Sequence, residues 1–499
     1  MSAKPHAISG LVAAFVTGAM GGPACGDGSR QTGATTGGDS SSTSTTSAIG
    51  SDTRARGTTS AALSTTVSTP DVPPADESET EGDSGTTGDA CARGAVPNAT
   101  RQATYDAIEH GWQRVERWQF DGTEFPDDPF FPDSRSEQTG QALEFFGRAP
   151  KPGPDTFLLE YGPGWERASG TPVLLVHGAD DPPDRTWANP GEQGPYGCGD
   201  MRCPSEGLMQ SIAAADIPVF AIAFPNTQGD NNVWAEQIHA AVQVVLTRTC
   251  AQEVDLVGWS KGAFAARLYA SSYRERWATP YADQVRKLVL IGAPNLGLDY
   301  VFRHGSAKNT TVWPPGMTHG PTPHHEQLLG LQVIDQSQYA VYPTDVGDYF
   351  RGQAQMLANW SDTYPLVFVA NNGLGPYPTV DTLSTYFGEG LYIGLTARGH
   401  GIEYAIEQAS LVDNVVSAGV PAAVETFLLC SEITDQADYI VGIPNELSGP
   451  SDGIVFVESC AAPDGIGRLG DVRVISDINH LELGWAEPAT QTVLDWLAR

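Results

Sequence analysis

Val254-Asp255-Leu256-Val257-Gly258-Trp259-Ser260-Lys261-Gly262 is a short apolar run that ends on a serine set between two glycines. The run reads as a buried strand, and Phe264, Leu268 and Tyr269 beyond it read as the apolar face of a helix starting at Lys261. A serine at such a strand-to-helix turn takes strained backbone angles, and the flanking residues must be small so that strand and helix can approach. The helix behind it aims its N-terminus at the site, where partial positive charge meets a developing oxyanion. G-x-S-x-G alone arises by chance in many proteins. In this setting it points to Ser260 as a nucleophile.

The same grammar extends on both sides. Upstream, Phe157-Leu158-Leu159-Glu160-Tyr161 reads as a strand leading into a Gly162-Pro163-Gly164 turn. Pro172-Val173-Leu174-Leu175-Val176 and Ile217 to Ala223 are continuous apolar runs, as buried parallel strands should be. Ile238, Ala241, Val242, Val245 and Leu246 recur at helical spacing, so Asn231 to about Thr247 is expected to be a helix. Downstream, Lys287 to Ile291 is a further strand. This alternation predicts an α/β protein with a mainly parallel sheet covered by helices on both faces. The rhythm breaks after Asn295 and resumes near Ile402, so residues 298–400 are expected to form a long insertion. Strands at Ala422–Leu429 and Val472–Ile475 and a closing helix at Ala489–Leu497 complete a catalytic domain of residues 101–499.

Three further pieces fit around Ser260. His177-Gly178-Ala179 ends an early strand, where this architecture places an oxyanion-hole amide; the expected donors are the backbone N–H groups of Ala179 and Lys261. Ser451-Asp452-Gly453 places an aspartate in a turn after a late strand, and Asn479-His480-Leu481 places a histidine past the last one. A serine is a poor nucleophile at neutral pH, so a base must take its proton, and His480 is assigned that role. Asp452 would hold the imidazole in the useful tautomer. His400, between two glycines at the end of the insertion, is the rival base, and Asp435 and Asp413 are fallback acids. Asp477 is too close in the chain to His480 to be its usual partner.

The first hundred residues read differently. Lys4 precedes the apolar run Gly10 to Val16, and small residues follow to Cys25, the order of a secretory signal over residues 1–24. The run is far short of the roughly 20 apolar residues that span a bilayer. Gly22-Pro23-Ala24-Cys25 resembles a bacterial lipoprotein junction, which would make Cys25 a lipidated residue and the chain an exported, membrane-anchored one; an ordinary signal peptide is the alternative. Residues 25–100, rich in Ser, Thr and Gly, then form a flexible tether. Without Cys25 six of the seven cysteines remain, which in an exported chain argues for disulfides, with Cys198–Cys203 and Cys430–Cys460 the preferred pairs. A net charge of −32 excludes nucleic acid as a partner. His319, His324, His325 and Glu326 read as solvated surface, and the acidic 121–133 segment lacks calcium-loop spacing, so neither metal nor cofactor is assigned.

With these pieces placed, the chain resembles secreted bacterial lipases and esterases of the α/β-hydrolase superfamily. Val173 to Gly178 looks like their oxyanion strand, Val254 to Gly262 like their nucleophile elbow, and Ile291-Gly292-Ala293-Pro294-Asn295-Leu296-Gly297 like the strand end they carry next. Ser451 to Val455 and Asn479 to Leu481 look like their acid and base segments. The resemblance departs at Lys261, where Met or Gln is more usual, and at Ala263, where Gly is. It implies hydrolysis of an ester or lipid substrate through an acyl-serine, without a cofactor. A polyester depolymerase, an acyltransferase with the same triad and a non-catalytic binding module on this fold are the alternatives. The insertion, with Trp313, Tyr339, Tyr342, Tyr349, Phe350, Trp360 and Tyr364, is expected to cover the site as a cap or lid or, failing that, to carry a satellite core.

Overall fold

Apolar runs of four to eight residues, too short for buried helices, become strands that bury both faces. In the computed structural model they form the middle of one nine-stranded sheet. The structure describes residues 96–499 except 107, 122–123, 131–136, 192–202, 272, 274–280, 304–323, 329–330, 336–350, 367–368, 371–375, 378–385, 388–389, 393–394, 399–400 and 441–444. In chain order the strands are β1 (Ala99–Tyr105), β2 (Arg114–Phe120), β3 (Thr156–Tyr161), β4 (Val173–Val176), β5 (Val219–Ala223), β6 (Val254–Trp259), β7 (Val285–Ile291), β8 (Glu425–Glu432) and β9 (Leu469–Ser476). Across the sheet they run β1-β2-β3-β5-β4-β6-β7-β8-β9. The first three pairings are antiparallel, and every pairing from β5 to β9 is parallel. This is the α/β-hydrolase fold.

The parallel half is the core. Val173 to Val176 on β4 and Leu256 and Val257 on β6 are sealed from solvent, and each such side chain contributes roughly 1.5–3 kcal/mol of transfer free energy. Helices α1 (Leu208–Ala214), α2 (Asn231–Thr249), α3 (Lys261–Ala270) and α4 (Glu487–Ala498) cover the two faces. One layer is α2 packed on α3, and the other is α1 packed on α4. Trp496 of α4 stacks on Phe427 of β8 at 5.1 Å between centroids. The last carbonyls of α4, those of Trp496 and Leu497, accept from the buried Lys287 ammonium of β7 at 2.7 and 3.1 Å, so a helix end is satisfied by a strand residue.

Register brings the functional ends together. Val176 pairs with Gly258 and Trp259 with Ile291, so β4, β6 and β7 end level. The loops leaving them, with those after β8 and β9, share the carboxyl edge, where open parallel sheets place their ligand crevice. The insertion leaves at Leu298 and returns beside it, since Leu298 N–H donates to Met356 O at 2.9 Å and Ala358 N–H to Leu298 O at 3.1 Å. Within it, strands Gly390–Tyr392, Leu395–Arg398, Leu331–Asp335 and His324–Leu328 form a small separate sheet in that order.

Candidate active site

At the end of β6 the chain turns through Ser260, whose φ of 56° and ψ of −127° lie outside the regions open to ordinary residues. The neighbours hold this conformation. Ser260 N–H donates to Ile291 O at 2.8 Å, and Ser260 O accepts from Ala263 and Phe264 N–H at 3.0 and 3.2 Å. The flanking glycines have specific reasons. A Cβ at Gly258 would lie 2.6 Å from Ala263 Cα, and one at Gly262 would run into the carbonyl oxygens of Val176 and His177. The motif is therefore the condition for strand, helix and oxyanion strand to touch.

The other two predicted members are brought to it. His480 Nε2 lies 2.8 Å from Ser260 Oγ, and His480 Nδ1 lies 2.7 Å from Asp452 Oδ2. The second oxygen of Asp452 accepts from Ile454 N–H at 3.0 Å and Val455 N–H at 2.7 Å, which fixes the carboxylate plane. His480 N–H donates to Asp452 O at 2.8 Å, and the Trp259 indole donates to His480 O at 3.0 Å. Asp452 and His480 are buried while Ser260 keeps partial access to solvent. The two fallback acids stand elsewhere: Asp435 caps a short turn at Ala437, and Asp413 is exposed on the Val412–Ala418 helix. Asp477, set aside for its closeness to His480, accepts from the Thr434 hydroxyl. His400 and Cys25 lie outside the described residues.

The two expected oxyanion donors are open. Among the described residues, the backbone N–H groups of Ala179 and Lys261 donate to no protein acceptor. Two N–H groups without partners beside a serine are uncommon in a folded protein and suit an arriving oxyanion. His177, beneath them, is fully buried, and burial pushes its imidazole down to about 3, so it stays neutral. Its Nδ1 faces Gly178 O at 2.8 Å and its Nε2 accepts from Phe224 N–H at 3.4 Å. Only the Nδ1–H tautomer satisfies both contacts.

Sequence reasoning missed a buried polar cluster under the elbow. The Lys261 side chain turns inward, with Nζ 2.9 Å from the centroid of the Trp234 ring, and Trp234 stacks on Phe224 at 3.8 Å. Burial holds this amine well below the usual lysine range, against the pull of Asp128, Asp230 and Asp180. Asp128 is pushed up to about 7, first by burial and then by the charge of Asp230. Asp230 caps α2 through Asn232 N–H at 2.8 Å and accepts from the insertion residue Gln355 at 2.7 Å. These partners are scattered from residue 128 to 355, and no local spacing announces them.

Two of the seven insertion aromatics are described. Trp360 donates to Gly297 O at 3.2 Å, and both Trp360 and Tyr364 pack on Phe456, at 5.7 and 4.3 Å. The other five lie outside the described residues. Cys430 and Cys460 are disulfide-bonded as expected. Cys203 and Cys250 are also in disulfides, while Cys198 lies outside the described residues. Among the described residues, no group of three or more His, Cys, Asp or Glu is arranged to hold a metal ion.

No protein-family model matches this chain, and no curated protein matches it. Solved structures similar to it include a mature Bacillus licheniformis lipase, at 10% identity over 66% of this chain and 93% of that one, with a TM-score of 0.35. A thermostable carboxyl esterase from Bacillus coagulans in complex with glycerol is similar at 12% identity, over 69% and 94% of the two chains, with a TM-score of 0.33. A ferulic-acid-bound protein from Butyrivibrio proteoclasticus is similar at 10% identity, over 69% and 97%, with a TM-score of 0.32. Likeness at this level adds no argument to the strand order and the elbow, on which the fold rests.

Proposed function

We propose that this protein is a serine carboxylic ester hydrolase of the lipase or esterase type. The observation that carries the reading is the unbroken line from Asp452 through His480 to Ser260, standing at a strained elbow beside two N–H groups without acceptors. In the reaction, Ser260 Oγ attacks the ester carbonyl carbon as His480 Nε2 takes the hydroxyl proton. The carbonyl oxygen becomes an oxyanion held by Ala179 and Lys261 N–H. The tetrahedral adduct collapses, the carbon–alkoxide bond breaks, and His480 returns the proton to the departing alcohol. Water then attacks the acyl-serine with His480 again as base, releasing the acid and restoring Ser260. Asp452 keeps Nδ1 protonated and stabilises the transient imidazolium.

The proposal includes export and attachment to a bacterial membrane through a lipidated Cys25, with residues 26–100 as a tether, on the strength of the sequence pattern there. Labelling with a fluorophosphonate probe and hydrolysis of short-chain esters test the chemistry. Ser260→Ala and His480→Ala are each expected to lower activity by roughly 10⁴-fold or more, and the double variant by little beyond either, because the residues act as one unit. A wild-type chain that neither takes the probe nor cleaves any ester would sink the reading.

A further inference from the structure

We propose that Arg303 is a positioning residue for this reaction: through Glu446 it holds the loop carrying Asp452 in place against His480, and so ties the insertion to the triad. The inference rests on the triad reading above. Arg303 lies in the first turn of the insertion, on the short helix Tyr300–Arg303, and its guanidinium is wholly buried. Two carboxylates share it. Asp299, one turn earlier, accepts from Nη2 at 2.6 Å and from Nε at 3.1 Å, and Glu446 Oε2 makes an ion pair with Nε at 3.1 Å. The remaining nitrogen, Nη1, donates to Tyr364 O at 2.8 Å and to Ser448 Oγ at 3.2 Å.

Each carboxylate belongs to a different part of the molecule. Asp299 gathers the insertion, with the Tyr386 hydroxyl 2.7 Å from Oδ2 and Trp360 N–H donating to the same atom at 3.3 Å. Glu446 belongs to the acid loop. Its N–H donates to Gly453 O at 2.8 Å, and its carbonyl accepts from Ser451 Oγ at 2.6 Å, so its backbone clasps the residues on both sides of Asp452. Ser451 Oγ accepts in turn from Gly453 N–H at 3.1 Å. From there the line passes through the Asp452 carboxylate to His480 and Ser260. Arg303, Asp299, Glu446, Ser451 and Asp452 are each no more than 1% exposed, so no solvent-exposed group interrupts the path.

The arrangement is a costly way to glue an insertion down. Taking a guanidinium and two carboxylates out of water carries a large desolvation penalty, and apolar side chains of similar volume often serve stability equally well. What the ions add is direction. A planar guanidinium fixes the angle of the groups that accept its N–H bonds, Asp299 and Ser448, and the Ser448 hydroxyl donates in turn to Glu446 Oε1, a directed link that an apolar contact does not make.

The test compares Arg303→Met, Arg303→Lys and Glu446→Gln in the full chain, with steady-state kinetics on a soluble short-chain ester and thermal melting alongside. The expected result is a fall in kcat per folded chain of roughly 10²-fold for Arg303→Met and Glu446→Gln, the scale set by about an ångström of misplacement. KM should stay unchanged, and Arg303→Lys should recover part of the loss. If Arg303→Met does not fold, Glu446→Gln carries the test, since the amide keeps the size of the side chain and its acceptor for Ser448 N–H. Variants that melt earlier yet keep wild-type kcat per folded chain would overturn the proposal. A wild type without Ser260 labelling would instead overturn the triad reading, so the two failures are told apart.

Discussion

Ser260, Asp452 and His480 were readable because each sits where a short motif meets a strand end, and the geometry of a strand end is local. The charges around them were not. The sequence assigns Lys261 a role only through its backbone N–H, and only the fold shows its side chain lying on Trp234 near Asp128, over a hundred residues upstream. His177 makes a prediction of its own at this scale. Its folded imidazole is pushed to about 3 from an ordinary 6.5, so between those values the unfolded chain binds a proton that the native chain refuses. The stability it contributes is full above 6.5 and is lost as pH falls toward 3. Asp128 is shifted the opposite way, but it is common to any pair of chains differing only at 177. Melting temperatures of the wild type and His177→Gln, taken from pH 7 down to 4, should therefore converge, the wild type losing more. Parallel curves would refute the assignment.

Among the elements, the buried parallel strands matched their apolar runs within a few residues, because a strand covered on both faces must be apolar throughout. β1 and β2 escaped notice for the converse reason. β1 is an edge strand whose sequence, Ala-Thr-Arg-Gln-Ala-Thr-Tyr, is largely polar and exposed, and β2 carries Arg114, Glu116 and Arg117 among its apolar residues. Nothing in such composition separates a strand from a loop. The late disulfide was legible as a close pair, but not what it encloses. Cys430 ends near the carboxyl edge on β8, Cys460 follows Phe456, and the 30-residue separation between them contains both Glu446 and Asp452. Closing a loop of that length stabilises the native state by about 3–4 kcal/mol in the chain-entropy account. The Cys430→Ala/Cys460→Ala chain should lose about that much in a urea titration. An unchanged midpoint would show that the loop is held without the bond.

At the scale of the whole molecule, the proposed lipid anchor puts a catalytic domain with an acidic surface at the end of a polar tether. Replacing Cys25 by Ala should move the protein from the membrane fraction to the soluble one, and mass spectrometry of the wild-type mature N-terminus should find the acylated cysteine. A free terminus downstream of Cys25 would refute the anchor. Timing also follows from the sheet. Ser260 and His480 are 220 positions apart, and the base stands just past β9, the strand that completes one edge. A ribosome delivers the chain from its N-terminus, so the elbow emerges long before the histidine that would serve it. On the proposed chemistry and export, a nascent chain that has not yet delivered His480 carries a serine with no base, and would not cleave the esters of a bilayer it was crossing. Activity would then begin only when β9 docks.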